Sequence, residues 1–313
     1  MPAVRMEPIR IAVVGLGKIA RDQHLPALQG NPAFVLAATV CPLGALAEGV
    51  PGFATLEDLL AAGVELDAVA ICTPPQMRHR LAAEALGYGL HVLLEKPPAA
   101  SLSEAASLVD LAAEAGLTIF AAWHSRFAAG VEAAREWLAG RRILGARIIW
   151  REDVRVWHPG QAWIWQPGGF GVFDPGINAL SIATRILPGA ISLTDAELEI
   201  PANCDAPIAV RLALQTASGA PIAVDLDFRQ TGPQTWDIEV ETDAGTLLLS
   251  RGGAVLTLPE GSRQGSDAEY PGLYARFAEL IRSGSSEVDT APLQLVADAF
   301  ARGRAIPTEP FYD

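Results

Sequence analysis

A strand, turn and helix signature near the N-terminus constrains the fold most strongly. Residues Ile9–Gly15 read I-R-I-A-V-V-G, a strand that becomes fully apolar and ends at glycine, and a G-x-G-x-x-A pattern follows. The first glycine permits a tight turn, the second lets backbone approach a pyrophosphate, and Ala20 lets the helix pack closely on the strand. The positive N-terminal end of that helix attracts phosphate. The pattern therefore predicts a dinucleotide site formed by Gly15, Gly17, Lys18 and Ile19.

Strands and helices alternate through the first part of the chain, up to Ala122. Apolar runs that suit strands buried on both faces occur at Phe34–Val40, Asp67–Cys72, Val92–Leu94 and Leu117–Ala122. Amphipathic segments that suit helices lie among them, at Thr55–Ala62, Met77–Gly87 and Ser103–Ala115. This alternation predicts a doubly wound parallel sheet, which is the α/β Rossmann architecture.

Polar residues follow several of these strands, at the sheet edge where ligands bind in such folds. Thr73 and Pro74 follow one strand, and Glu95 and Lys96 end another just before two prolines that forbid further ladder hydrogen bonds. A lysine held there suits a ligand site, although a solvated surface turn is the alternative. The Phe34–Val40 strand is followed by Cys41, with neither an acid nor an arginine, so the sequence does not choose between NAD and NADP.

The pattern of apolar and polar residues changes after Trp123. Alternating, strand-like stretches then predominate, at Ala146–Trp150, Ile208–Gln215, Ile222–Phe228, Trp236–Thr242 and Thr246–Ser250. Their period of two predicts an open, mostly antiparallel sheet, and helices at Tyr270–Ser283 and Ala291–Arg302 close the chain. We therefore predict a Rossmann domain at residues 1–123 and an α+β substrate domain at residues 124–313.

The segment Glu152–Asn178 concentrates the candidate functional residues of the second half. It holds three of the seven tryptophans, together with His158, Asp174 and many glycines and prolines, and is predicted to be a long ordered loop before a helix at Ala179–Ile186. Asp174 and Asn178, four residues apart, would face the same way, although Asp174 could instead cap the helix. The tryptophans suit either loop packing or the face of a sugar ring. The acids and the histidine match no usual metal-ligand spacing, so no metal is predicted.

Composition excludes several functions. The net charge is −13, so nucleic acid is not an expected partner. The three cysteines show no paired spacing, which argues against a disulfide framework. The first ten residues lack the apolar core of a signal peptide, and no apolar run reaches the roughly 18 residues that span a bilayer. We expect a cytoplasmic protein with no membrane partner.

The motifs GLGKIA, EKPP, WHSR and FDPGIN resemble the glucose–fructose oxidoreductase and inositol dehydrogenase family, and the likeness covers essentially the whole chain. The resemblance implies a catalytic lysine at Lys96, beside the nicotinamide and ahead of a cis proline at Pro97. It also implies an acid/base aspartate at Asp174. Many members carry histidine four residues later, whereas Asn178 stands there in this chain, as in the aldose 1-dehydrogenases of the family.

The long central run from Glu152 is most similar to the bacterial aldose 1-dehydrogenases that act on L-arabinose and D-galactose. The resemblance implies oxidation of C1 to a lactone with hydride transfer to NAD or NADP, and a homodimer. There are two alternatives: an oxidoreductase of the same family that acts on a different sugar or polyol, and a regulator that senses a nucleotide or sugar without turnover. The serine and arginine with which the arabinose-oxidising members hold a 2′-phosphate fall on Cys41 and Pro42, and the missing arginine argues against a preference for NADP. The resemblance implies sugar contacts at His124, Glu152, Trp157 and Trp236. We expect His158, Asp174 and Asn178 to contact the substrate as well.

Overall fold

The first part of the chain contains a six-stranded sheet, in a computed structural model that describes residues 7–44, 46–266 and 268–312. Its strands are β1 (Ile9–Val14), β2 (Phe34–Val40), β3 (Gly52–Phe53), β4 (Ala68–Ile71), β5 (His91–Glu95) and β6 (Ile119–Ala122). The order is β3-β2-β1-β4-β5-β6 and every neighbouring pair is parallel. This confirms the predicted Rossmann sheet and places the ends of β2, β1, β4 and β5 along one edge.

Helices join these strands, and their ends follow local sequence signals. Thr55 and Ser101 accept hydrogen bonds from the backbone N–H groups of Asp58 and Glu104, which caps the two helices that follow. Apolar side chains of the sheet and helices, such as Leu59, form one buried core. The helices of this part are Leu25–Gln29, which follows a π-helical turn at Ala20–His24, then Leu56–Ala61, Pro75–Gly87 and Leu102–Ala115.

A late segment of the chain also belongs to this first unit. Residues Tyr270–Thr290, which include most of the Glu269–Ser283 helix, group with the residues up to Trp123. Phe277 stacks between Phe34 and Phe120, with ring centroids 6.1 Å away on each side. The predicted division at Trp123–His124 left this helix in the second domain. The difference arises because its apolar face completes the core of the first unit, which periodicity alone does not reveal.

The rest of the described chain forms the second unit, around a nine-stranded mixed sheet. The strands are β7 (Ile143–Arg151), β8 (Ile191–Pro201), β9 (Ala209–Thr216), β10 (Pro221–Asp227), β11 (Thr235–Thr242), β12 (Gly245–Ser250), β13 (Val255–Leu258), β14 (Gly261–Gln264) and β15 (Arg304–Thr308). Most neighbours are antiparallel, but β7 pairs parallel to β10, and β8 to β15. The predicted strands are present, and four others were not predicted: β8, β13, β14 and β15.

One long helix, Phe173–Ile186, packs on this sheet and is buried along most of its length. A Cβ added at Gly176 would lie 2.5 Å from Leu226 Cδ1 of β10, so only glycine lets the helix approach this closely. Among the residues that the structure describes, no helix has both the length and the apolar character needed to cross a bilayer. The other helices of this unit are Val131–Leu138, Val154–Trp157 and Ala291–Arg302, with 3₁₀ turns at His124–Phe127, Ala162–Trp165 and Arg251–Gly253.

Candidate active site

The glycine turn after β1 has the backbone that the sequence predicted. Gly15 has a φ of +95°, and a Cβ there would lie 2.9 Å from Thr73 Cγ2, so the turn requires glycine. The N–H of Gly15 donates to the carbonyl of Val40 at 2.8 Å, which joins the turn to the end of β2 beside Cys41. The structure thus brings Gly15, Cys41 and Thr73 together at the ends of three adjacent strands.

This edge of the sheet fits a dinucleotide. A Cβ at Gly17 would meet no atom within 4 Å, so the turn leaves space for a pyrophosphate against the backbone of Gly17, Lys18 and Ile19. Thr73 Oγ1 is buried and has no hydrogen-bond partner within the described residues, which suits a group that a bound cofactor would satisfy. Lys18 forms an ion pair with Asp22. Pro74 begins the next crossover helix as its N-cap.

Glu95 and Lys96 end the neighbouring strand β5. Glu95 is 2% exposed, and its Oε2 accepts a hydrogen bond of 2.7 Å from the backbone N–H of Lys96. Lys96 is half-buried and the peptide bond to Pro97 is cis, as the resemblance implied. The solvated surface turn that the sequence left open therefore does not describe this segment, because the carboxylate beside the lysine lies in the interior.

A buried arginine that the sequence analysis missed ties two of these strand ends together. Arg78 is 4% exposed, and its guanidinium donates to the carbonyls of Thr73 at 2.8 Å, of Glu95 at 2.6 Å, and of Pro97. Each carbonyl lies at the end of a strand or just after it, at the carboxyl edge of the sheet. Nothing in the run M-R-H-R distinguishes the buried arginine from its exposed neighbour Arg80.

Replacing Arg78 by methionine is expected to lower the free energy of unfolding by about 2–4 kcal/mol, because three carbonyl groups lose a charged donor. Arg80→Met is the matched control on the same helix, since the side chain of Arg80 is 70% exposed and its guanidinium pairs with Glu84 at 3.6 Å. The control is expected to change stability by less than about 0.5 kcal/mol. Urea unfolding measures both, and equal effects would show that the Arg78 contacts contribute little.

In the second unit, a chain of buried polar groups joins four of the predicted sugar contacts. Glu152 is 1% exposed; its Oε1 lies 3.0 Å from His158 Nε2, and its Oε2 accepts a hydrogen bond of 2.8 Å from Trp236 Nε1. On the other side of the imidazole, His158 Nδ1 is 3.6 Å from Asp174 Oδ2. His158 Nδ1 is buried and has no hydrogen-bond partner in the described part of the chain.

Local structure explains why these groups meet. Glu152 directly follows the central strand β7, and its N–H donates to the carbonyl of Asp227 at 3.0 Å. Glycines at 169 and 171 then let the chain fold tightly back, since a Cβ at Gly171 would lie 2.2 Å from the carbonyl oxygen of Pro207. Asp174 follows at the second position of the Phe173–Ile186 helix.

Two expectations about this segment were wrong. The helix begins at Phe173 rather than Ala179, and the loop before it holds a helical turn at Val154–Trp157 and a 3₁₀ turn. The N-cap residue is Val172, so Asp174 does not cap the helix and its carboxylate lies inside the first turn. The glycines and prolines that suggested a loop allow close packing and a Pro-containing first turn instead.

Tryptophan rings line one side of these buried polar groups. Trp236 of β11 stacks on its cross-strand partner Trp150, with 5.6 Å between the ring centroids. The centroid of the Trp157 ring lies 4.7 Å from that of Trp236. Trp157 is 38% exposed, so part of its face is open. Aromatic faces beside carboxylates form the usual surroundings of a bound sugar.

The remaining predicted contacts are His124 and Asn178. Asn178 lies one turn after Asp174 on the same helix and is half-buried. His124 Nδ1 is 2.5 Å from Glu269 Oε2, an acid that the sequence analysis did not single out. No group of three or more His, Cys, Asp or Glu side chains suited to a metal occurs among the described residues.

Similarity to known proteins identifies the family of this chain. The model of an oxidoreductase family with an NAD-binding Rossmann fold, GFO/IDH/MocA, matches residues 9–122. Galactose 1-dehydrogenase of Pseudomonas fluorescens is 46% identical over 311 residues, which cover 98% of this chain and all of that protein. The chain belongs to the GFO/IDH/MocA oxidoreductase family.

Two further proteins show how far the likeness extends. The crystal structure of a D-galactose-1-dehydrogenase protein from Rhizobium etli matches with a TM-score of 0.93 and 52% identity, over 98% of this chain and 99% of that one. D-xylose 1-dehydrogenase (NADP(+)) 2 of Haloferax volcanii is 29% identical over 75% of this chain and 74% of its own length. The protein is thus an oxidoreductase whose Rossmann fold binds a nicotinamide dinucleotide, NAD or NADP.

Proposed function

We propose that this protein is an aldose 1-dehydrogenase that oxidises C1 of D-galactose, and of L-arabinose, to the lactone. The observation that carries the proposal is the buried Nδ1 of His158, which has no hydrogen-bond partner among the described residues and lies 3.6 Å from Asp174 Oδ2, next to the tryptophan cluster. A sugar hydroxyl is the kind of group that satisfies such an atom. Near-full-length similarity to two galactose 1-dehydrogenases supports D-galactose.

Asp174 acts as the general base in this proposal. The residue is 5% exposed, and its carboxylate accepts the proton of the anomeric hydroxyl as that hydroxyl becomes a carbonyl. Asn178, one turn further along the helix, positions the substrate through its amide and does not titrate. The amide in place of the histidine of many members leaves proton transfer to the aspartate.

Lys96 stabilises negative charge on the oxygen at C1 while the proton leaves. The backbone N–H of Lys96 donates to Glu95, and this hydrogen bond fixes the peptide of the lysine at the end of β5. Gly15, Gly17, Lys18 and Ile19 would hold the pyrophosphate of the dinucleotide, and Thr73 Oγ1 would bond to it. The bound nicotinamide supplies the hydride acceptor.

Glu152, His158 and Trp157 recognise the sugar in this proposal, together with Trp236 and His124. Because L-arabinose and D-galactose share the configuration at C2, C3 and C4, one set of contacts accepts both. The carboxylate of Glu152 is already oriented by His158 and Trp236, so it presents fixed geometry to a hydroxyl group. Cys41 is buried and offers neither the acid that would repel a 2′-phosphate nor the arginine that would bind one, so we expect turnover with both NAD and NADP.

Initial rates with a panel of sugars test this assignment. Purified protein is incubated with D-galactose, L-arabinose, D-glucose, D-xylose and myo-inositol, each with NAD and with NADP, and the reduced cofactor is followed by absorbance. We expect the highest kcat/KM with D-galactose or L-arabinose. A preference for myo-inositol would indicate a polyol dehydrogenase, and cofactor binding without turnover of any substrate would indicate a sensing protein.

The proposal also covers the oligomeric state and the cellular location of the protein. We expect a cytoplasmic homodimer that pairs through the open face of the second-unit sheet. That face carries alternating charges, such as Arg211 with Glu199 at 3.3 Å and Arg151 with Asp225 at 2.5 Å. Sedimentation velocity measures the assembly, and a monomer at micromolar concentration would contradict this part.

A further inference from the structure

A histidine outside the proposed site lies at the centre of a buried polar network in the first unit. His24 is 0% exposed and is the last residue of the π-helical turn that follows the glycine motif. Its Nε2 lies 3.1 Å from Glu95 Oε1, and its Nδ1 lies 2.7 Å from the hydroxyl of Tyr274. The imidazole thus connects the dinucleotide turn to the residue just before Lys96. π-helical turns of this kind occur often at functional sites.

The carboxylate of Glu95 is held from both sides. Oε1 accepts the hydroxyl proton of Tyr270 at 2.6 Å in addition to the bond from His24. Oε2 accepts the backbone N–H of Lys96 at 2.7 Å. Since His24 and Tyr270 fix one oxygen, the other oxygen is fixed as well, and with it the peptide plane of Lys96.

The charged and titratable groups around His24 favour a stable contact between its imidazole and Glu95. The titratable groups that face His24 are Glu95 after β5, Cys72 after β4, and Tyr270 and Tyr274 from the Glu269–Ser283 helix. Burial by itself lowers the pKa of His24, but Cys72 and Glu95 together raise it to about 9. The raised pKa favours the protonated imidazole, which compensates the buried carboxylate.

We propose that His24 is a positioning residue that acts through Glu95 to hold Lys96 at the end of β5. Because His24 is fully buried, it affects the reaction through Lys96 rather than by contact with the sugar. The inference rests on the proposed role of Lys96. It assigns a function to a residue that neither the glycine motif nor the Glu-Lys-Pro motif includes.

Two near-isosteric variants separate this role from simple core packing. In His24→Gln the amide nitrogen replaces Nε2 and keeps the donor to Glu95, whereas in His24→Asn it replaces Nδ1 and loses that donor. We expect kcat within about fivefold of wild type for the glutamine variant and about 10–50-fold lower for the asparagine variant, as misplacement of one group allows. KM for the sugar and Kd for NADH are expected to stay within about threefold in both.

A Lys96→Ala background shows whether His24 acts through the lysine. We expect His24→Asn to lower kcat less than about twofold in that background, because the group that it positions is already absent. Multiplicative losses, or equal losses in the glutamine and asparagine variants, would overturn the inference. If the asparagine variant does not fold, Tyr270→Phe removes the hydroxyl that donates to Oε1 of Glu95 and is expected to lower kcat about threefold.

A readout without turnover keeps this inference separate from the proposed function. The chain has two lysines, Lys18 and Lys96, so reductive methylation with ¹³C-formaldehyde gives two resolvable side-chain NMR signals. We expect the Lys96 signal to keep its wild-type position in His24→Gln and to move toward that of the exposed Lys18 in His24→Asn. An unmoved Lys96 signal in His24→Asn would refute the positioning role, even if the protein oxidised no sugar at all.

Discussion

Asp174→Asn is expected to lower kcat with D-galactose about 10²–10⁴-fold, because the substitution removes the proposed general base and keeps the volume of the side chain. The Kd for NAD is expected to stay within about twofold, since the carboxylate takes no part in the proposed dinucleotide contacts. Stopped-flow and steady-state absorbance measure the rate, and fluorescence titration measures cofactor affinity.

Asp153→Asn is the matched control for that variant. Asp153 lies in the same segment, and its carboxylate accepts a hydrogen bond of 3.0 Å from the N–H of Arg155 at the start of a helical turn. Asparagine caps a helix as well as aspartate does, so kcat is expected to change less than about threefold. Near-normal turnover in Asp174→Asn would assign the proton transfer to another group.

Lys96→Ala is expected to lower kcat about 10²–10³-fold, because charge that develops on the oxygen at C1 loses its cation. The hydrogen bond between residue 96 and Glu95 involves the backbone, so the end of β5 should keep its structure. Methylammonium chloride is expected to restore part of the activity by occupying the space that the side chain leaves.

The same salt gives a control, since it should not rescue Asp174→Asn, which lacks an anion rather than a cation. A Lys96→Ala variant with unchanged kcat, or rescue of both variants by methylammonium, would contradict the role given to the ammonium group.

Much of the first unit could be predicted from the sequence because its determinants are local. The apolar run before Gly15, the glycines themselves and the prolines after Lys96 each dictate the backbone at their own positions. Strand alternation then fixed the parallel sheet, and the Glu-Lys-Pro motif placed Lys96 at its edge. The pattern of the second half similarly predicted a mostly antiparallel sheet.

Other features depend on contacts between distant residues, which a single sequence does not display. His24 and Tyr274 are 250 positions apart, yet they hydrogen-bond in the interior. Arg78 has the same local sequence context as exposed arginines, and only tertiary structure shows which carbonyls it reaches. The helix that begins at Phe173 was misplaced because Gly176 reads as a helix breaker, although it serves the close approach to β10.

The most direct test of the account uses D-galactose that carries deuterium at C1. The proposed reaction moves the hydrogen of C1 to the nicotinamide, so mass spectrometry of the reduced cofactor should find one deuterium per turnover, together with galactonolactone. Reduced cofactor without deuterium would show that a different carbon of the sugar is oxidised, and would contradict the assignment of this protein as an aldose 1-dehydrogenase.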